Sequence, residues 1–150
     1  AARVMRHFED LPVGFACRIG QYAMRQGEMI ELATRWDPQP FHIDEAAARD
    51  SVFGGLVASS LHLFAICTRL FFDLEPAIAT VAMLGKDKLR LPNPARPDDV
   101  LSYDTTVIAA RTSDRRPDVG IVTLADVLAN QRGEPVLTQE VTLMVRRRSG

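Results

Sequence analysis

The chain has 150 residues, 47% of them apolar and 25% charged, with a formal net charge of −1. That length supports one hydrophobic core and reads as a single domain over residues 1–150. The near-neutral balance leaves no electrostatic footprint for nucleic acid. Cys17 and Cys67 stand alone, with no C-x-x-C or Cys/His cluster, which argues against zinc or a disulfide framework. The longest apolar run, Val57 to Phe72, is too short for a membrane span and carries His62 and Arg69. No secretory signal pattern opens the chain, so a cytoplasmic protein with no membrane partner is expected. The basic run Arg146-Arg147-Arg148 reads as a solvated end.

Phe15 to Ala23 reads as a first strand and Glu28 to Trp36 as a short helix. That helix presents Met29, Ile30, Leu32, Ala33 and Trp36 to the core and stops where Asp37 precedes Pro38. Asp44 is a good N-cap for a second short helix, Glu45 to Arg49. In Ser59 to Phe72 the residues Leu61, Phe64, Ala65 and Thr68 mark one face, yet Leu63, Ile66, Cys67 and Leu70 are apolar too. A helix apolar nearly all round belongs in the centre of a core. After residue 78 the chain reads as four alternating strands: Ala79 to Leu91, Val100 to Ala110, Val119 to Asn130 and Pro135 to Arg147. The fold class is α+β, a long antiparallel sheet curled around one buried helix. Strands this long invite pairing at an edge, so a homodimer or higher homo-oligomer is expected.

Two segments carry chemistry. In Asp37-Pro38-Gln39-Pro40-Phe41-His42 a carboxylate and an imidazole flank two prolines. Proline fixes its own φ and holds the preceding residue extended, so Asp37 and Gln39 are stiff and Asp37 and His42 can be aimed at one point. A general base with a general acid is the minimal set for adding or removing water. The structural alternative makes Asp37 a helix cap and His42 a loop hydrogen-bonder. The second segment, Phe53-Gly54-Gly55-Leu56-Val57-Ala58-Ser59-Ser60, lies directly ahead of the apolar helix. Paired glycines such as Gly54-Gly55 let a ligand approach the main chain, and a helix start offers unpaired N–H groups for a carbonyl oxygen gaining charge. A plain Gly-Gly turn with a serine N-cap is the structural alternative. No phosphate loop, dinucleotide fingerprint or metal-ligand spacing is present in the sequence.

The stretch from Trp36 to His62, W-D-P-Q-P-F-H-I-D-E-A-A-A-R-D-S-V-F-G-G-L-V-A-S-S-L-H, resembles the MaoC-like dehydratases, the family of (R)-specific enoyl-CoA hydratases. Their pattern is D-x-[N/Q]-P-x-H-x-D, then a Phe-Gly segment and the start of a central helix. Phe8 to Gly14, Leu89-Arg90 with Pro94 to Asp99, and Asn130 to Gly133 resemble other parts of the family, so the similarity covers the whole chain. The resemblance implies a hotdog fold, a homodimer with pockets near its interface, an acyl-CoA thioester substrate, and no cofactor beyond the CoA it carries. It assigns Asp37 and His42 to activation of water and proton delivery, and the backbone N–H of Ser60 to the thioester oxygen. Gly55, Gln39, Phe41 and Thr68 fall at positions implied to line the substrate, Thr68 where some members support the catalytic carboxylate.

One departure stands out: the family usually has Gly where this chain has Ser60, placing a Cβ and a hydroxyl beside the thioester. The expected reaction is reversible hydration of a trans-2-enoyl-CoA to an (R)-3-hydroxyacyl-CoA. Three alternatives stay open. One is a hydratase for branched or dicarboxylic enoyl-CoAs (mesaconyl-CoA-like), with Arg90 or Lys88 reading the second carboxylate. The others are a hotdog thioesterase and a catalytically weak acyl-CoA-binding protein. Lys86, Lys88 and Arg90 are expected on one strand face, and His62 as a structural donor inside an interface.

Overall fold

A computed structural model describes residues 4–148. In chain order the elements are β1 (Met5–Arg6), a 3-10 turn (Phe8–Asp10), β2 (Ala16–Ala23), α1 (Gln26–Trp36), α2 (Pro40–Ile43), α3 (Glu45–Arg49), α4 (Ser60–Asp73), β3 (Ala77–Ile78), β4 (Thr80–Arg90), β5 (Val100–Thr112), β6 (Val119–Ala129) and β7 (Pro135–Arg146). Five strands form one antiparallel sheet in the order β2-β5-β6-β7-β4. The two-residue strands β1 and β3 pair in parallel beside it, a contact too short to leave a sequence pattern. The expected α+β architecture, a curved antiparallel sheet around a central helix, is the one observed.

α4 packs on the sheet through Leu63, Ile66, Cys67 and Leu70, an i, i+3, i+4, i+7 stripe, against Leu101 and Tyr103 of β5, Leu124 of β6 and Val141 of β7. Each such leucine or isoleucine buried contributes about 2 kcal/mol. Ser59 caps the helix, its Oγ accepting from the Leu61 N–H at 3.2 Å. The central strand β6 is buried on both faces only from Val119 to Val122; beyond that Leu124, Asp126 and Leu128 are buried while Thr123, Ala125 and Ala129 are half-buried and Val127 is exposed.

The opposite face of α4 differs from expectation. Leu61, Ala65, Thr68 and Phe72 are exposed, Phe72 by 64%. One chain supplies a sheet for only one side of the helix, so the second apolar face stays open. Trp36 was expected in the core of α1 and is 68% exposed; only Met29 and Ala33 are buried. The stripe outruns the surface that covers it, and the Arg35 guanidinium sits 5.9 Å from the Trp36 ring. The basic tail is also tied down rather than simply solvated: Arg147 Nε lies 3.1 Å from Glu9 Oε2, and Arg148 Nη2 lies 2.5 Å from Asp10 Oδ2. Among the described residues no helix is long and apolar enough to cross a membrane.

Candidate active site

α1 ends on Asp37, whose N–H caps back to the Ala33 carbonyl at 2.8 Å. The chain then reaches Gln39 in the extended conformation (φ −65°, ψ 140°), as Pro40 demands, and Pro40 opens the one-turn helix α2 at its first position, where a missing N–H costs nothing. His42 therefore sits on a helical turn and not in an extended loop. Asp37 has φ −154° and ψ 69°, short of a full extension because its N–H closes α1.

That turn brings the two groups together. His42 Nε2 lies 3.4 Å from Asp37 Oδ2, with the imidazole 9% and the carboxylate 28% exposed. His42 Nδ1 is 2.7 Å from the Val57 carbonyl oxygen. A carbonyl can only accept, so Nδ1 carries the hydrogen and, in the neutral ring, Nε2 presents a bare lone pair. Two acceptors then lie side by side at Nε2 and Oδ2, an arrangement that a single water bridging both from the cavity side can satisfy by donating to each. Val57 is fixed in turn, since its N–H donates to the Phe41 carbonyl at 3.2 Å, and the next N–H, of Ala58, donates to Ala95 O at 2.9 Å.

A residue that sequence reasoning missed completes the cluster. Ser59, 1% exposed, donates its hydroxyl to Asp37 Oδ2 at 2.7 Å while accepting from Leu61 N. One side chain thus caps α4 and anchors the carboxylate. The pair is separated by 22 residues, and the only sequence signal was a Ser-Ser doublet at a helix start.

Asp37, His42 and Ser60 form the polar end of a cavity of about 340 Å³. Phe41, Phe53, Leu63, Leu91, Ala95 and Val136 supply its apolar walls. The Phe41 ring meets the His42 ring edge-on at 4.6 Å. Ser60 is the first residue of α4, and its N–H has no acceptor among the described residues. The other expected site residues fall elsewhere. Gln39 is exposed, and its backbone carbonyl accepts from the His42 N–H at 2.9 Å. Gly55 does not line the cavity; Arg96 packs against it and donates to the Phe53 carbonyl at 2.6 Å, while the positive φ of the turn (+68°) belongs to Gly54.

Thr68 does not reach the Asp37 carboxylate either. Its hydroxyl donates to Phe64 O at 3.0 Å and it faces a second cavity, because the helical repeat carries it about two turns from Ser60. Lys86, Lys88 and Arg90 do not share a face. Lys88 has φ +51° and the β4–β7 register slips between Asp87 and Arg90, which breaks the alternation. Lys88 pairs with Glu140 at 3.1 Å and Arg90 bonds the Leu89 carbonyl, so neither is aimed at a substrate carboxylate. His62 is buried by its own chain. Its Nε2 lies 3.2 Å from Glu28 Oε1, which also accepts from the Tyr22 hydroxyl, and so α4 is joined to α1. The Tyr22 hydrogen bond, with a smaller share from His62, holds the Glu28 carboxyl below its ordinary value against the effect of burial.

The second cavity, about 260 Å³, lies further along α4 and carries a polar cluster. Asp126, on the apolar register of β6, accepts from Tyr103, from Thr105 at 2.7 Å and from Gln139 at 3.3 Å. Burial still pushes its carboxyl above the usual range. The Cys67 thiol beside it is pushed up to about 12 by burial, so it is an apolar wall and not a nucleophile.

Residues 19–128 match the family model described as MaoC like domain. The chain is similar to the crystal structure of a MaoC-like dehydratase from Rhodospirillum rubrum, with 39% identity, a TM-score of 0.89, and coverage of 97% of this chain and 99% of that one. It shares its fold with R-hydratase PhaJ1 from Pseudomonas aeruginosa, at 22% identity and a TM-score of 0.77 over 95% of this chain and 86% of that one. A Bacillus subtilis protein, YdeM, is 24% identical over 143 residues, covering 93% of this chain and 98% of that protein, and is itself uncharacterised.

Proposed function

The chain belongs to the family of MaoC-like domains, and from that premise we propose that it is an acyl-CoA hydratase/dehydratase, a carbon–oxygen lyase that adds water reversibly to a trans-2-enoyl-CoA to give an (R)-3-hydroxyacyl-CoA. The observation that carries this reading is the approach of His42 Nε2 to Asp37 Oδ2 at 3.4 Å, with Nδ1 locked on Val57 and both groups opening on the cavity that the Ser60 amide borders.

In the hydration direction a water bridges Asp37 and His42 from the cavity side, giving one hydrogen to the carboxylate and one to the bare Nε2. As its oxygen bonds to C3 of the enoyl group, its proton passes to the pair and electron density moves to the thioester oxygen. The Ser60 N–H, at the positive end of α4, holds that oxygen. The pair then returns the proton to C2, so water is added and neither residue is changed at the end. Acid–base groups of this kind contribute about 10²- to 10⁴-fold in rate. Phe41 and Phe53 exclude bulk water beside the ring, and Ser59 keeps the carboxylate facing it. The exposed face of α4, with Leu61 and Phe72, and the unpaired edge strand β4, with Met83 and Leu84, accommodate a second copy of the chain in a homodimer.

The test is loss of conjugated thioester absorbance with crotonyl-CoA, for the wild type and for Asp37→Asn and His42→Ala. Turnover in the wild type that both variants lose is expected; equal rates in all three would sink the dyad. Release of free thiol would mean thioester hydrolysis, and acyl-CoA binding without turnover would mean a binding protein.

A further inference from the structure

Lys86 is the feature the proposed reaction leaves unused. It lies on the exposed strand β4, but its ammonium turns inward to Gln139 Oε1 at 3.1 Å and over the Phe64 ring at 5.7 Å. The orientation of the Gln139 amide is set from behind, since Nε2 donates to Tyr103 Oη at 3.2 Å and to Asp126 Oδ2 at 3.3 Å. Its Oε1 is thereby left for lysine. Gln139 also stands between Lys86 and Asp126, whose two oxygens are already engaged by Tyr103, Thr105 and Gln139. Among the described residues no carboxylate lies within ion-pairing distance of the ammonium, whereas the neighbouring Lys88 is paired with Glu140. Lysine has three donors, so two remain beyond the one given to Gln139. Cys67, Phe71, Met83, Leu124, Val141 and Leu143 are the apolar lining of the second cavity, beside Thr68, Thr80 and the Tyr103–Asp126–Gln139 cluster.

Both cavities lie along the same helix–sheet cleft. Leu63 and Cys67 are one turn apart on α4, Val136 and Gln139 both lie on β7, and Lys86 lies within β4 while Leu91 directly follows its end. Resting on the hydratase reading, we infer that the second cavity receives the far end of the acyl chain and that Lys86 binds a terminal carboxylate there. No residue lines both cavities, so the chain enters the second by displacing side chains at the partition, between Leu63 and Cys67. Ser60 and Cys67 are seven residues apart on α4, or about 11 Å. A chain of roughly nine carbons at about 1.5 Å per bond, zigzag, spans that length. The substrate class is therefore medium-chain enoyl thioesters with an ω-carboxylate.

The test compares (E)-2-decenoyl-CoA with the mono-CoA thioester of (E)-2-decenedioic acid, on wild type, Lys86→Met and Lys86→Arg. Wild type is expected to prefer the ω-carboxylate in kcat/KM by about tenfold, the worth of one charge-assisted hydrogen bond. Lys86→Met is expected to abolish that preference and Lys86→Arg to keep most of it. An unchanged ratio in Lys86→Met overturns the inference, as does a weakened dimer with an unchanged ratio, which would mean that Lys86 pairs with a second copy. If no enoyl-CoA is turned over, the hydratase reading fails separately. Calorimetric binding of decanedioyl mono-CoA against decanoyl-CoA then decides the role of Lys86 by the same ratio.

Discussion

Replacing Ser60 by proline removes the proposed oxyanion donor with little other disturbance. Ser60 is the first residue of α4, the position at which a helix tolerates proline best. The residue before a proline must be extended, and Ser59 already has φ −61° and ψ 144°. The Ser60 N–H has no acceptor in the described chain, so no structural hydrogen bond is lost. A single oxyanion donor is worth about 3 kcal/mol, so kcat for crotonyl-CoA should fall about 100- to 200-fold. The melting temperature should move by no more than a few degrees, as for a loss of about 1 kcal/mol in a chain of this size. Ser60→Ala is the control that removes only the hydroxyl, and Ser60→Gly removes the Cβ as well; both should match or exceed wild-type turnover. Stopped-flow or steady-state absorbance gives kcat, and differential scanning fluorimetry checks the fold. Turnover of Ser60→Pro equal to that of Ser60→Ala, in a folded protein, would refute the assignment of this amide.

Ser59→Ala should cost about 1 kcal/mol of stability through the lost cap and roughly tenfold in kcat through the lost bond to Asp37, with KM unchanged. Ser59→Gly should recover most of the stability but none of the rate; a rate loss that follows stability across the pair would reduce Ser59 to a cap. Glu28 titrates below its ordinary value chiefly because Tyr22 donates to it. A depressed carboxyl stabilises the fold above its unfolded pKa, near 4.5, and that stability is lost as pH falls through the folded value. Glu28→Gln should therefore flatten the fall in melting temperature below about pH 4.5; parallel curves would contradict this. Finally, a Cβ on Gly120 would overlap the Phe8 ring, so Gly120→Ala should destabilise by about 1–3 kcal/mol. A melting temperature within a degree of wild type would show that the Phe8 turn shifts freely.

Much of this molecule was legible from local order. Periodicity placed α1, α3, α4 and the four long strands within a few residues, because alternation and the 3.6-residue repeat are properties of neighbouring positions. The proline frame around Asp37 and His42 announced a constrained site for the same reason. What failed were inferences that needed a partner surface or a known register. Trp36 continues the Met29–Ala33 stripe and is exposed because no element among the described residues covers it. Thr68 lies on the right helix but about two turns too far along for the Asp37 cavity.

The sequence by itself determined α1, α3, α4 and the long strands, and it set Asp37 and His42 five positions apart in one proline frame, each a property of residues close together in the chain. Only the tertiary structure decided which serine holds Asp37, which lysine turns inward and which face of α4 stays open. The bond from Ser59 to Asp37 closes across 22 residues. Lys86 and Lys88 are separated in role by a single left-handed residue and a slip of register. Such features arise when distant segments are brought into contact, and the chain order of residue types does not encode them.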